Sequence, residues 1–302
     1  MFNYNNRASK VRERAARGIF TVAALFSLGA LLVITIFLLC NGVPFIARTG
    51  FGKFVLGAEW RPLADTPSYG ILPMIVTSLY VTALAVIFGV VIGLSTAVCL
   101  YRFCPRKLVS PVRQMINLLA GIPSVIYGLF GMTVIVPFLR DYLSPTGVGY
   151  GILAAAIVLS VMILPTVVSV SLDSLSSVPI SYYEGALALG STESEATFKI
   201  VLPAAKSGVT SGVILAVGRA LGETMAVIMV VGGSPEMPKS LFQSVRTLTS
   251  NIAMGAMELD ENTQEALIAS GVVLLVFALL LNISFSFLKQ DRSERRKRRG
   301  KV

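Results

Sequence analysis

Six apolar stretches dominate the sequence, at residues 19–40, 71–100, 115–138, 150–172, 208–233 and 266–288. Each reaches the roughly 20 residues that a helix needs to cross about 30 Å of hydrocarbon. Composition agrees: a chain of 302 residues that is 54% hydrophobic and only 14% charged is not an ordinary soluble domain. We read it as an all-α integral membrane protein with six transmembrane helices. A basic segment, 1–18, precedes a transmembrane domain, 19–288, and a basic tail, 289–302, follows. The first stretch is expected to stay in place as a helix, because its 22 uncharged residues exceed a typical leader's apolar region and no small-x-small cleavage site follows.

Orientation follows from where Lys and Arg fall. The N-terminal segment (Arg7, Lys10, Arg12, Arg14, Arg17), the loop after the second stretch (Arg102, Arg106, Lys107, Arg113), Lys199, Lys206 and the tail from Lys289 to Lys301 place 19 basic residues on one side. The other side has six: Arg48, Lys53, Arg61, Arg140, Lys239 and Arg246. Both termini are therefore expected in the cytoplasm, as an even number of spans requires. Placed this way, the net charge of +10 is a topology signal beside anionic lipid, and no nucleic-acid partner is called for. The chain has no His, which excludes His-based acid–base catalysis and His metal sites. Cys40, Cys99 and Cys104 lack metal-ligand spacing, and Cys40 is expected at the membrane face opposite the other two, so no disulfide framework follows.

Helix breakers interrupt two of the stretches. AGIPSVIYGLFG, residues 120–131, puts Gly121, Pro123, Gly128 and Gly131 in the third, and Pro165 is expected to interrupt the fourth. Backbone freed at that depth is tolerated only where neighbours or a wet cavity satisfy it, and broken helices often line a transport path. Ser124 and Tyr127, within the cluster, are candidates for such a path. The fifth stretch has Arg219 and Glu223 near its middle. Insertion of each costs roughly 2.5–3.5 kcal/mol, so they must face the protein interior or water. Four residues apart on one helix, they project from nearly the same side and can pair.

The loop between the fourth and fifth stretches, 173–207, contains YYEGALALGSTESEATFKIVLPAAKSG, residues 182–208. Gly190 can terminate a short helix over Glu184–Leu189, and a second helix from about Thr192 is expected to end with the help of Pro203. The stretch resembles the EAA loop of ABC-transporter permeases, E-A-A-x-x-x-G, nine residues, then I-x-L-P. Glu184, Ala186, Gly190, Ile200, Leu202 and Pro203 fall in register, and Gly185 departs from the pattern. The resemblance implies the type I importer permease fold and a loop that couples to an ATPase. The chain itself has no G-x-x-x-x-G-K-[ST] phosphate loop, since Gly52-Lys53 precedes Phe54 and Gly300-Lys301 precedes Val302. It is thus expected to be a transport subunit rather than an enzyme, holding no cofactor, with ATP and Mg bound by a partner.

Within that superfamily, FGKFVLGAEWRP (51–62), AGIPSVIYGLFG (120–131) and GRALGETMAV (218–227) resemble permeases of the bacterial phosphate-specific uptake system, of the PstC type. The resemblance implies a multi-pass subunit of the inner membrane that moves phosphate with a second permease of the PstA type, dimeric ATPase subunits and an extracytoplasmic phosphate-binding protein. A phosphate path would explain the mid-membrane charges: the planar guanidinium of Arg219 can donate two hydrogen bonds to phosphate oxygens, while Glu223 orients it and weakens its grip. A structural ion pair is the other reading of these two residues. Another oxyanion such as sulfate also fits the residues; a passive anion channel fits Arg219 but leaves the loop unexplained.

Overall fold

The computed structural model describes residues 6–256 and 260–299, with side chains described over 12–256 and 260–284. The basic side chains of Arg7, Lys10 and Lys289–Lys301 therefore lie outside the described side chains.

The chain begins with a long helix, α1 (Asn6–Thr49), which continues through Pro44, and a short α2 (Phe51–Leu56). A two-residue antiparallel ladder, β1 (Trp60–Arg61) with β2 (Ser68–Tyr69), pairs Trp60 with Tyr69. Then follow α3 (Leu72–Val98), α4 (Arg106–Gly121), α5 (Ser124–Phe130), α6 (Val136–Tyr142) and α7 (Ile152–Ser176). The remainder comprises α8 (Ile180–Ala188), α9 (Glu193–Glu195), α10 (Leu202–Gly222), α11 (Met225–Val231), α12 (Leu248–Gly255) and α13 (Glu261–Arg299). Among the described residues six helical segments are long and apolar enough to cross a membrane: Arg12–Thr49, Leu72–Phe103, Ser124–Tyr142, Ile152–Ser176, Glu193–Gly222 and Glu261–Ser284.

The most buried of the six is α7. Ala155, Ala156, Ile163 and Val167 are fully enclosed between α3 and α10. Two glycines on one face of α3 make the approach possible: a Cβ on Gly89 would meet Ile163 at 2.6 Å, and one on Gly93 would meet Val167 at 2.8 Å. Lipid is as apolar as a core, so packing of this closeness, not hydrophobic expulsion, holds spanning helices together.

Three expectations about the spans change. The third spanning helix is not 115–138: residues 106–121 form the separate α4, and Pro123 precedes α5 rather than breaking it. Pro165 does not interrupt α7, which runs through it with the ring buried. Pro203 begins α10 instead of ending a helix. The reason is a widened turn before the proline. Over Ala196–Val201 the helix opens to π geometry and the Leu202 amide reaches back to the Thr197 carbonyl. The same device precedes Pro105, where the Cys104 amide bonds the Cys99 carbonyl at 2.8 Å, and Pro137, where Val136 bonds Gly131. A proline lacks the N–H and its ring crowds the carbonyl four residues back; an i to i−5 turn displaces that carbonyl while keeping the neighbouring amide bonded.

Gly93→Val would force α3 off α7 at Val167. We expect a loss of about 1–3 kcal/mol, measured as a lowered unfolding midpoint of the purified chain in detergent, with Gly121→Ala, where nothing lies within 4 Å of the added carbon, as an unaffected control.

Candidate functional site

The fifth apolar stretch, 208–233, is not one helix. α10 closes at Gly222, Glu223 is extended (φ −70°, ψ 131°), and α11 starts at Met225. A break exposes amides and carbonyls that hydrocarbon cannot satisfy, so local groups must do so. Glu223 does both halves. Its Oε1 accepts from the Ala226 amide at 3.1 Å, capping α11, and its carbonyl accepts from Thr249 Oγ1 at 3.0 Å.

This geometry overturns the expected pairing of Arg219 with Glu223. On a continuous helix the two would stack, but the extended residue turns Glu223 away and gives its carboxylate another partner. Arg219 is exposed, in the last turn of α10, where a cation complements the helix's negative end. Among the described residues it forms no hydrogen bond and no ion pair.

The third and fifth spans meet beside the break. A Cβ on Gly128 would lie 3.0 Å from Cα and 3.2 Å from the carbonyl oxygen of Ala226, so α5 and α11 touch at the first turn of α11. Tyr127, on that helix, is buried and donates its hydroxyl hydrogen to the Leu119 carbonyl at 2.7 Å, pinning α5 to the end of α4 across the Pro123 bend. The Arg219 charge lies within electrostatic range of this phenol. Tyr127 thus holds the bend, while Ser124, the first residue of α5, forms no hydrogen bond through its side chain among the described residues.

Residues that the sequence reading passed over complete the site. α12 opens with a capping box in which Thr247 Oγ1 accepts from the Ser250 amide, and its first amide, Leu248, donates to Ser78 Oγ of α3 at 2.9 Å. Arg246 donates to the Gly233 carbonyl at 2.8 Å and to Asn251 Oδ1 at 3.0 Å. The break at Glu223 is therefore tied through Thr249 and α12 to α3. A signal existed: RTLTSN, 246–251, is a dense polar run in an apolar chain, with Thr and Ser at capping-box spacing.

The second candidate region is the hairpin after α7. α8 ends in a Schellman arrangement: the Gly190 amide bonds the Leu187 carbonyl at 2.9 Å, the Ser191 amide bonds Ala186 at 3.1 Å, and Gly190 has φ +87°. Thr192 and Glu195 then cap the returning helix reciprocally. Ala186 is buried against the bundle, while Glu184, Gly190, Ile200 and Pro203 are exposed and Leu202 is half-buried. Leu189, at the tip, is 90% exposed. Nothing lies within 4 Å of a Cβ built on Gly185, so the alanine of the usual pattern would fit there.

Among the described residues, six spanning helices, a break beside a guanidinium that forms no hydrogen bond or ion pair, and a capped hairpin with an apolar tip belong to a type I importer permease fold. The model of the family described as "Binding-protein-dependent transport system inner membrane component" matches residues 89–299, and the chain belongs to that family. It is similar to the "Probable ABC transporter permease protein YqgH" of Bacillus subtilis, 38% identical over 95% of this chain and 93% of the relative. It is also similar to the "Phosphate transport system permease protein PstC" of Mesorhizobium japonicum, 34% identical over 86% of this chain and 84% of that one. Among solved structures, a bacterial alginate ABC transporter shares the fold at 15% identity with a TM-score of 0.66, covering 95% of this chain and 98% of that one.

Thr249→Val keeps the volume and removes the donor to the Glu223 carbonyl. We expect a cost of about 1–3 kcal/mol from the unsatisfied carbonyl, read as a lowered unfolding midpoint, while Thr249→Ser stays close to wild type.

Proposed function

We propose that this chain is the permease subunit of an ATP-driven phosphate importer, working with a second, PstA-type permease, two ATPase subunits and an extracytoplasmic binding protein. The observation that carries the reading is Arg219: a guanidinium at a helix break, with no partner among the described residues, in a chain whose relatives include phosphate permeases. A charge kept in that setting without a counter-ion has a function to serve, and a transient anion supplies its missing partner once per cycle. A planar donor pair suits phosphate oxygens better than the compact ammonium of lysine. Glu223 holds the break that presents Arg219, rather than neutralising it.

The hairpin is the ATPase contact in this reading. Its tip, Leu189, and Glu184 are exposed, as a docking knob requires. Both termini and the hairpin are cytoplasmic, and the segment between α11 and α12 is external. A Cys at Ser234 should then label from outside and one at Thr192 only from inside, in intact cells treated with an impermeant maleimide; reversed labelling excludes this orientation.

Arg219→Gln is expected to abolish phosphate uptake with normal complex yield, and Arg219→Lys to retain less than about a tenth of it, because a point charge loses the bidentate fork. A purely structural ion pair predicts instead that Arg219→Gln combined with Glu223→Gln restores uptake. Radiolabelled phosphate uptake by the two single variants and the double, with sulfate as control, separates these outcomes.

A further inference from the structure

The cytoplasmic end of α3 grips both arms of the hairpin through adjacent residues. Beyond Val98, α3 widens into a π turn over Cys99–Phe103, closed by the Cys104 amide on the Cys99 carbonyl. Arg102 places its guanidinium 3.9 Å from the ring centroid of Tyr183 on α8. Phe103 stacks on Phe198 of the returning arm, ring centroids 6.3 Å apart and planes 20° from parallel. Successive side chains on a helix point roughly 100° apart, so neighbours can reach two different elements.

The two contacts differ in kind. Tyr183 is only 1% exposed although α8 is a surface helix, its hydroxyl has no partner, and it packs with Ala97, Val98 and Leu100 at the end of α3. A cation over such a ring is attracted to its π face. Phe103 and Phe198 are 44% and 53% exposed, so mere burial does not account for their stacking.

The other end of α3 is also held, by the bond between Ser78 and the first amide of α12, whose Thr249 bonds the Glu223 carbonyl. α3 itself is one helix of 27 residues, Leu72–Val98, about 40 Å long, and leads directly into the π turn that carries Arg102 and Phe103.

We propose that Arg102 and Phe103 are positioning residues that clasp the hairpin to α3, so that movement of the hairpin is carried along α3 to α12 and the break at Glu223. The proposal rests on the reading that the hairpin docks on an ATPase. The clasp stays closed through the cycle; a loose one lets the hairpin move without α3. Coupling of this kind has physical content only if altering the contact alters the coupling between the two sites.

The test uses the complete complex in proteoliposomes, with ATP hydrolysis and phosphate uptake measured together. Arg102→Ala with Phe103→Ala should leave ATPase copurification at wild-type yield and lower phosphate moved per ATP at least about fivefold. Arg102→Lys, which keeps a cation over the ring, should recover most of that ratio, whereas Arg102→Gln should not. A wild-type ratio in the double alanine variant overturns the clasp. Should that variant assemble poorly, Phe103→Cys with Phe198→Cys, in a background with Cys40, Cys99 and Cys104 changed to Ser, replaces it. Cross-linking that pair should leave transport intact, and loss of transport restored by reduction also overturns the proposal. Gly190→Val separates the underlying reading: a β-branched residue at φ +87° distorts the tip, and if the ATPase still copurifies with full stimulation, docking by the hairpin is what fails.

Discussion

Backbone polar groups have nothing to bond with in hydrocarbon, and this requirement shapes the molecule more than any side-chain preference. Each departure from regular helix comes with its own partner. The three prolines at 105, 137 and 203 are each preceded by a π turn that keeps the adjacent amide bonded. At the Pro123 bend the Tyr127 hydroxyl takes up the Leu119 carbonyl, and at the Glu223 break a carboxylate and a threonine hydroxyl serve an amide and a carbonyl. At these places the irregular backbone has such a partner, and two of them, Tyr127 and Thr249, tie one helix to another.

That rule explains which parts of the structure were legible beforehand. Spanning helices announce themselves by length and apolarity: the stretches 71–100 and 150–172 lie within four residues of the spans Leu72–Phe103 and Ile152–Ser176 at both ends. The hairpin was also legible, because a glycine at positive φ and a Thr–Glu capping box are local chemistry that a few residues specify. Hydropathy averages over many residues and does not see a two-residue break, so by pattern alone Glu223 belongs to one continuous helix within reach of Arg219. The third stretch failed for the same reason: the apolar end of α4 ran into α5, hiding the joint at Pro123. Proline misled twice, at 165 and 203, since whether a helix survives a proline depends on the turn before it and the neighbours around it. Thr249 and Ser78 were invisible because their partners lie 26 and 170 residues away in sequence.

Taken together, the tethers form a connected frame. The hairpin meets α3 at Arg102 and Phe103, α3 meets α12 at Ser78, and α12 meets the break beside Arg219 at Thr249. α7, enclosed beneath, supplies the fixed body against which this frame is mounted. Such a layout gives the domain two handles, one at the hairpin and one at α12, joined through α3.

The first helix has a different consequence. α1 packs chiefly against α13, with Gly42 close under Val272 and Leu38 beside Gly271, and its leucines, isoleucines and phenylalanines from Ile19 to Leu39 otherwise point outward. During synthesis α1 emerges before its main partner, α13. It must therefore persist in lipid without that partner while the helices between them are translated. An apolar surface around its full circumference suits that wait, and it makes the joining of α1 to α13 a closing step of assembly rather than its start.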